Sequence, residues 1–210
     1  MDAKAWDERY AATDLIWSSG PNQFVEVECA DLPAGRALDL AAGEGRNAIW
    51  LAQHGWQVTA VDFAQAGLDK GRRLAGDAQI DWVCGDAVTG RGLDKLGQRE
   101  SLDHRGFDLV VIAYLQLTAS ERRAALRRAY SLLRAGGTFL LVAHDSTNLT
   151  EGTGGPQEPD VLMTAADVLG DLAGEDFEVV RAERVARLVG ASDGEERTAY
   201  DALVRLVRRT

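Results

Sequence analysis

Three carboxylates carry the first chemical signal in this chain: Asp39 in "ALDLAAGEGRNA", Asp62 in "VTAVDF" and Asp86 in "CGDAV". Asp39 sits inside a short apolar run, four residues before Gly43. A carboxylate buried in such a run needs hydrogen-bond or cationic partners. Gly43, Gly45 and Ala48 complete a G-x-G-x-x-A turn, in which glycine lets the backbone come close to a ligand. Asp62 closes the next apolar run, a position from which an acid accepts from both hydroxyls of a ribose. Asp86, beside the small Ala87, offers a carboxylate to an adenine amino group. Together the three acids describe a ligand with a cationic centre, a ribose and an adenine, with no phosphate to repel. A dinucleotide-binding strand is buried on both faces and runs unbroken into its first glycine. Asp39 therefore counts against an NAD(P)-dependent oxidoreductase, the alternative that the glycine pattern alone allows.

A second group of residues could act on an acceptor. His144, followed by Asp145, closes the apolar run "GTFLLVAHD". It is placed to take a proton from a hydroxyl or thiol, with Asp145 orienting it or a substrate amine. Tyr114 and Gln116, in "AYLQL", end another apolar run and project toward the same region. The other histidines, His54 at a helix end and His104 in a polar stretch, read as surface residues. No metal-ligand spacing is present.

These residues need a frame, and the chain supplies one. "RALDLA", "QVTAVDF", "IDWVCGDA", "FDLVVIAYL" and "GTFLLVAHD" read as strands. They alternate with helical segments "GRNAIWLAQHG", "AQAGLDKGRRLAG" and "TASERRAALRRAYSLLRAGG", the last with Ser120 as its cap and Gly136 at its end. This order predicts an α/β fold with a doubly wound, mainly parallel, seven-stranded sheet of Rossmann-like form. "FEVVRAERVARLVG" and "TAYDALVRLVRR" have no helix between them and predict a C-terminal antiparallel hairpin. Such a sheet binds its ligand beyond the carboxyl ends of its strands, which is where every residue named above falls.

Residues 1–33 read as an N-terminal helical cap and 34–210 as the core of a single domain. The Gly- and Pro-rich loop over 145–160 reads as a substrate-facing lid. Trp6, Tyr10 and Trp17 could roof the pocket with it. The net charge of −10 argues against a nucleic-acid partner, whose phosphates demand a basic field. No apolar run is long enough to span a bilayer, and the N-terminus has no secretory h-region. With Cys29 and Cys84 both reading as reduced, buried residues, the expected compartment is cytoplasmic.

Taken in order, "ALDLAAGEGRNAIWLA", "VTAVDF" and "CGDAV" resemble the successive motifs of class I S-adenosylmethionine-dependent methyltransferases. The resemblance covers roughly residues 36–145, and Ala41 stands where many members have glycine. "WDERYA", "GPNQF" and "GGPQEP" are similar to the tellurite-resistance and thiopurine-type branch that acts on small molecules. The resemblance implies S-adenosylmethionine as cofactor, with Asp39, Gly43 and Gly45 lining its methionine moiety and Arg46 at its carboxylate. It further implies Asp62 on the ribose, Phe63 packed on the adenine, Asp86 and the Ala87 amide at the adenine edge, and Ala113 in backbone contact. The expected reaction is methyl transfer to a small-molecule acceptor, with His144, Asp145 and Tyr114 as candidate catalytic groups. A non-catalytic cofactor-binding protein fits the same motifs. Sulfur, selenium and tellurium species, halides, phenols and amines are all compatible as acceptors, and the oligomeric state is open.

Overall fold

The computed structural model describes residues 3–13, 20–93, 96, 106–190 and 195–210. The elements in order are α1 (Ala3–Ala11), α2 (Gln23–Cys29), β1 (Arg36–Leu40), α3 (Arg46–Gln53), β2 (Gln57–Asp62), α4 (Gln65–Ala75) and β3 (Ile80–Cys84). They continue with β4 (Phe107–Ala113), α5 (Ala119–Ser131), β5 (Leu133–His144), α6 (Asn148–Glu151), a 3₁₀ turn (Pro159–Val161), α7 (Ala165–Asp171), β6 (Phe177–Gly190) and β7 (Glu196–Arg208).

The seven strands form one sheet in the order β3-β2-β1-β4-β5-β7-β6. The first five run parallel, and β7 enters antiparallel against β5 and β6. The order reverses direction between β1 and β4, which opens a crevice at their carboxyl ends. Apolar runs such as "LVVI" in β4 are buried on both faces because helices cover both. One core layer gathers Leu38, Leu40, Phe107, Leu126, Tyr130 and Phe139 on the α5 and α7 side. The other gathers Ala37, Leu51, Val58, Leu109 and Leu140 on the α2 and α3 side. Since α2 buries Val25 and Cys29 in that second layer, it belongs to the core packing. Its start is fixed by Asn22, whose side chain accepts from the amides of Phe24 and Val25.

Several local expectations are corrected. The cap of α5 is Thr118, not Ser120, because Glu121 three residues on completes a capping box with Thr118. Gly136 does not end that helix. It lies at φ 76° inside β5, whose pairing with β4 shifts register between Phe107 and Leu109. Helix α7 was not anticipated, although Thr164 and Asp167 form a second capping box at its start. Cys29 is buried as expected, but Cys84 is exposed. It ends β3, the strand at one edge of the sheet, and all five residues of β3 are only partly buried or exposed. Trp17 and His104 lie outside the described residues. No described helix is long and apolar enough to cross a membrane.

Candidate functional site

At the carboxyl ends of β1, β2 and β4 the sheet opens into a cleft with about 940 Å³ of empty space, open solvent included. Its floor is the turn after β1. There Ala41, Gly43 and Gly45 take φ of 65°, 56° and 77°, so the backbone passes through the left-handed region three times in five residues. Asp39 and Asp62 hold this turn from below. The Ala48 amide donates to Oδ2 of Asp39 at 3.0 Å, and the Gly43 amide to Oδ2 of Asp62 at 2.9 Å. Asp62 also accepts from the Ala64 amide at 2.8 Å, so one carboxylate joins the β1 and β2 turns.

The electrostatics follow from this burial. Asp39 is 1% exposed, and Oδ1 has no hydrogen-bond partner among the described residues. Burial pushes its carboxyl up to about 7, against the lowering pull of the Ala48 amide and of Arg46. Burial raises Asp62 too, opposed by the Ala64 and Gly43 amides. Asp86 goes the other way. Burial raises it, but hydrogen bonds from Thr89 and Val88 outweigh that and hold it low. Its Oδ1 accepts from the Val88 amide at 2.8 Å, a turn-forming bond, while the residue still faces the cleft.

Asp62, Phe63, Asp86, Ala87, Arg46 and Ala113 all wall the cleft, as does Gly43. Asp39 and Gly45 stand behind that wall. A Cβ at Gly45 would meet the Trp82 ring at 2.4 Å, so this glycine serves close packing of the turn on β3. From the N-terminal segment, Trp6 and Tyr10 reach the cleft with ring centroids 5.5 Å apart. Helix α1 is pinned there by Asp7, which accepts from the Ala66 amide at 2.8 Å in the first turn of α4.

The outer end of the cleft is built around Tyr114, with Leu115 and Gln116. Tyr114 takes φ 59°, an uncommon conformation for a bulky residue. Its hydroxyl donates to Oδ2 of Asp201 at 2.9 Å. Burial, then the charge of Asp201, pushes the Tyr114 phenol well above its ordinary value. In this arrangement its hydroxyl is a hydrogen-bond donor to Asp201 on the cleft wall. His144 and Asp145 are not on the cleft wall. The pairing expected between them is corrected. Asp145 turns its Oδ1 to the amide and hydroxyl of Thr147, at 2.9 and 2.7 Å, and so starts the following loop. The carboxylate facing His144 is Asp201, across the β5–β7 pair, with Nδ1 3.5 Å from Oδ1. The Tyr114 and His144 rings lie 4.6 Å apart, and the loop at Gly155 packs on the imidazole.

Asp201, Arg187, Asn22 and Asn47 were missed by the sequence reading. Asn47 lines the cleft and its Oδ1 accepts from the Asn22 amide at 2.9 Å. For Asp201 a signal existed. It is a lone acid in the apolar strand "AYDALVRL", the same anomaly that marked Asp39.

A family model described as a methyltransferase domain matches residues 37–137. That match spans just under half of the chain, so what it shows is a likeness to methyltransferase domains. The demethylmenaquinone methyltransferase of Clavibacter sepedonicus is 32% identical over 137 residues, which is 63% of this chain and 52% of that protein. The chain thus spans about half the length of that curated relative. Among solved structures, N-methyltransferase NodS from Bradyrhizobium japonicum, in complex with S-adenosyl-L-homocysteine, aligns over the whole of both chains at 18% identity and a TM-score of 0.69. TehB from Haemophilus influenzae aligns over 90% of this chain and 63% of its own at 15% identity, also with a TM-score of 0.69. At these identities the two structures speak for the fold.

S-adenosylmethionine is the cofactor expected of this domain, and the residues present fit it. The unpartnered Oδ1 of buried Asp39 suits a cationic ligand, the Asp62 carboxylate stands at the cleft wall, and the glycine turn keeps the floor free of side chains.

Proposed function

We propose that the protein transfers a methyl group from S-adenosylmethionine to a small-molecule acceptor. The observation that carries this reading is the buried Asp39, with one unpartnered oxygen, beneath a glycine turn that Asp62 ties to the ribose position. When bound, the cofactor supplies a sulfonium methyl whose bond to sulfur breaks, with its electron pair passing to sulfur, as the bond to the nucleophile forms. The work of this chain is alignment and exclusion of water, which can contribute roughly 7–11 kcal/mol.

In this reading Asp62 accepts from the ribose, Phe63 and Ala87 enclose the adenine with Asp86 at its edge, and Ala113 approaches through its backbone. Arg46 meets the cofactor carboxylate. Tyr114 and Gln116 wall the acceptor end, and Trp6 and Tyr10 close the cleft from the N-terminal side. His144 supports Tyr114 and Asp201, so a nucleophile that arrives already ionised suits the site best. The similarity of "WDERYA" and "GGPQEP" to the tellurite-resistance and thiopurine-type branch, and the acidic net charge, support a small acceptor over a nucleic acid.

Calorimetric titration with S-adenosylmethionine, S-adenosylhomocysteine and NAD tests the cofactor. The first two should bind and lose at least tenfold in affinity in Asp62→Ala. Binding of NAD alone would overturn the proposal. Labelled methyl transfer to a panel of thiols, phenols and amines then tests the reaction.

A further inference from the structure

Arg187 lies on β6, the edge strand of the sheet, and its guanidinium reaches across β7 to the ring of Tyr114, a residue that lines the outer end of the cleft. Its Nε donates to Oδ2 of Asp201 at 2.8 Å, and its guanidinium carbon sits 5.7 Å from the centroid of the Tyr114 ring. The Nε bond is the one hydrogen bond of 3.5 Å or less that Arg187 makes among the described residues. The terminal amino groups, the fork that matches a carboxylate, make no bond of 3.5 Å or less to the described protein, with the Tyr114 hydroxyl as a further hydrogen-bonding neighbour of the guanidinium.

Asp201 is 0% exposed, and a buried carboxylate persists only with partners that offset its desolvation. Its neighbours converge from three strands: Tyr114 beyond the end of β4 and Arg187 on β6 donate to Oδ2, while His144 at the end of β5 stands with Nδ1 3.5 Å from Oδ1, which has no hydrogen-bond partner among the described residues. Asp201 holds the guanidinium through Nε, and the Arg187 side chain keeps 21% of its surface exposed. The ring of Tyr114 supports it through its π face. Strain in a bulky residue such as Tyr114 survives where its surroundings over-determine it, and here they serve to hold this assembly at the cleft. Arg46, on the cleft wall, lies within the field of Arg187. A chain with net charge −10 repels anions at long range, so it can recognise one only through such a local arrangement.

We infer that the methyl acceptor carries an anionic group of carboxylate geometry, seated on the Arg187 guanidinium beside Tyr114. Asp201 is then a positioning residue that sets the angle of the fork. This rests on the proposed methyl transfer for the word acceptor, but the anion seat is testable without it.

The probes are benzoate and benzamide, matched in shape and different in charge. Each is titrated into protein saturated with S-adenosylhomocysteine, which occupies the cofactor's own carboxylate position, and amide chemical shifts are followed by NMR. Benzoate should bind at least tenfold more tightly than benzamide, with shifts centred on Tyr114 and Arg187. Arg187→Gln should bring the ratio near one while S-adenosylhomocysteine affinity holds. Arg187→Lys should keep part of the preference, and it replaces the glutamine variant if that one melts early. Equal binding of the two probes, a preference that survives Arg187→Gln, or benzoate shifts that leave Tyr114 and Arg187 unmoved would each overturn the inference. Failure of S-adenosylhomocysteine to bind would sink the methyltransferase reading instead, and the probe ratio would then be read on the protein alone.

Discussion

The hydroxyl of Tyr114 donates to the carboxylate of Asp201 at 2.9 Å, joining two positions 87 residues apart. The bond fastens the end of the central parallel strand β4 to the antiparallel strand β7 across β5. A tyrosine at positive φ and a fully buried acid meet there.

Tyr114→Phe keeps the ring and removes the donor. It should cost about 1–2 kcal/mol at pH 7, the usual cost of leaving a buried carboxylate short of one partner. Burial raises Asp201, but His144, Arg187 and Tyr114 together hold its carboxyl below the ordinary value. A depressed folded pKa contributes stability above the unfolded value, and that contribution is lost as pH falls through the folded one. The difference between wild type and variant should therefore shrink below about pH 4. Urea unfolding at pH 7 and pH 3 measures it, and an equal difference at both would show that the bond is not to an ionised Asp201.

Asp39 behaves in the opposite sense. Its folded pKa is raised to about 7, so between pH 4 and pH 7 the native ligand-free protein holds a proton that the unfolded chain has released. Through this group, stability falls as pH rises across that window and levels off above pH 7, by up to about 4 kcal/mol. Asp39→Asn should flatten the slope. A cationic ligand favours the ionised carboxyl, so binding of S-adenosylmethionine near pH 6 should release a proton. Calorimetry in buffers of differing ionisation enthalpy counts it. No proton released from wild type, or the same number from Asp39→Asn, would remove Asp39 from the cofactor site.

Asp145 offers a contrast with its neighbour Asp201. It serves the Thr147 turn, so Asp145→Ala should lower stability by about 1 kcal/mol and leave the pH profile of turnover unchanged. A profile displaced by half a unit or more would restore Asp145 to the reacting centre.

The frame was legible because alternation of apolar runs and helical segments is a local property, and all seven strands follow from it. Asp62 and Asp86 were legible as acids at strand ends, positions the parallel sheet brings together at one edge. Asp201 left a signal as a lone acid in an apolar strand, but its pairing with Arg187 was not legible. Their meeting depends on the register of β7 against β5 and β6, and "AERVARLVG" gives no sign of which arginine meets Asp201. His144 and Asp145 were read as partners because they adjoin in sequence, yet successive residues of a strand point to opposite faces. Helix α7 was passed over because seven residues show little periodicity, and its capping box was the better signal.

Ala41 shows where the fold tolerates a departure from the glycine pattern. The residue sits at φ 65°, between β1 and Gly43 on the floor of the cleft. An L-residue in the left-handed region loses roughly 1–2 kcal/mol to crowding of its Cβ. Glycine removes that crowding but frees the unfolded chain, returning roughly 0.4–1 kcal/mol. Ala41→Gly should therefore stabilise the protein by about 0.5–1 kcal/mol, where a Gly at an ordinary extended position would destabilise it by as much. The substitution takes one methyl from the cleft wall and leaves the bonds from Gly43 to Asp62 and from Ala48 to Asp39 in place, so S-adenosylmethionine affinity should change less than threefold. Urea midpoints and calorimetry on the same preparations read both quantities. A lowered midpoint would mean that neighbouring contacts relieve the strain at Ala41, and a tenfold loss of affinity would mean that its methyl touches the cofactor.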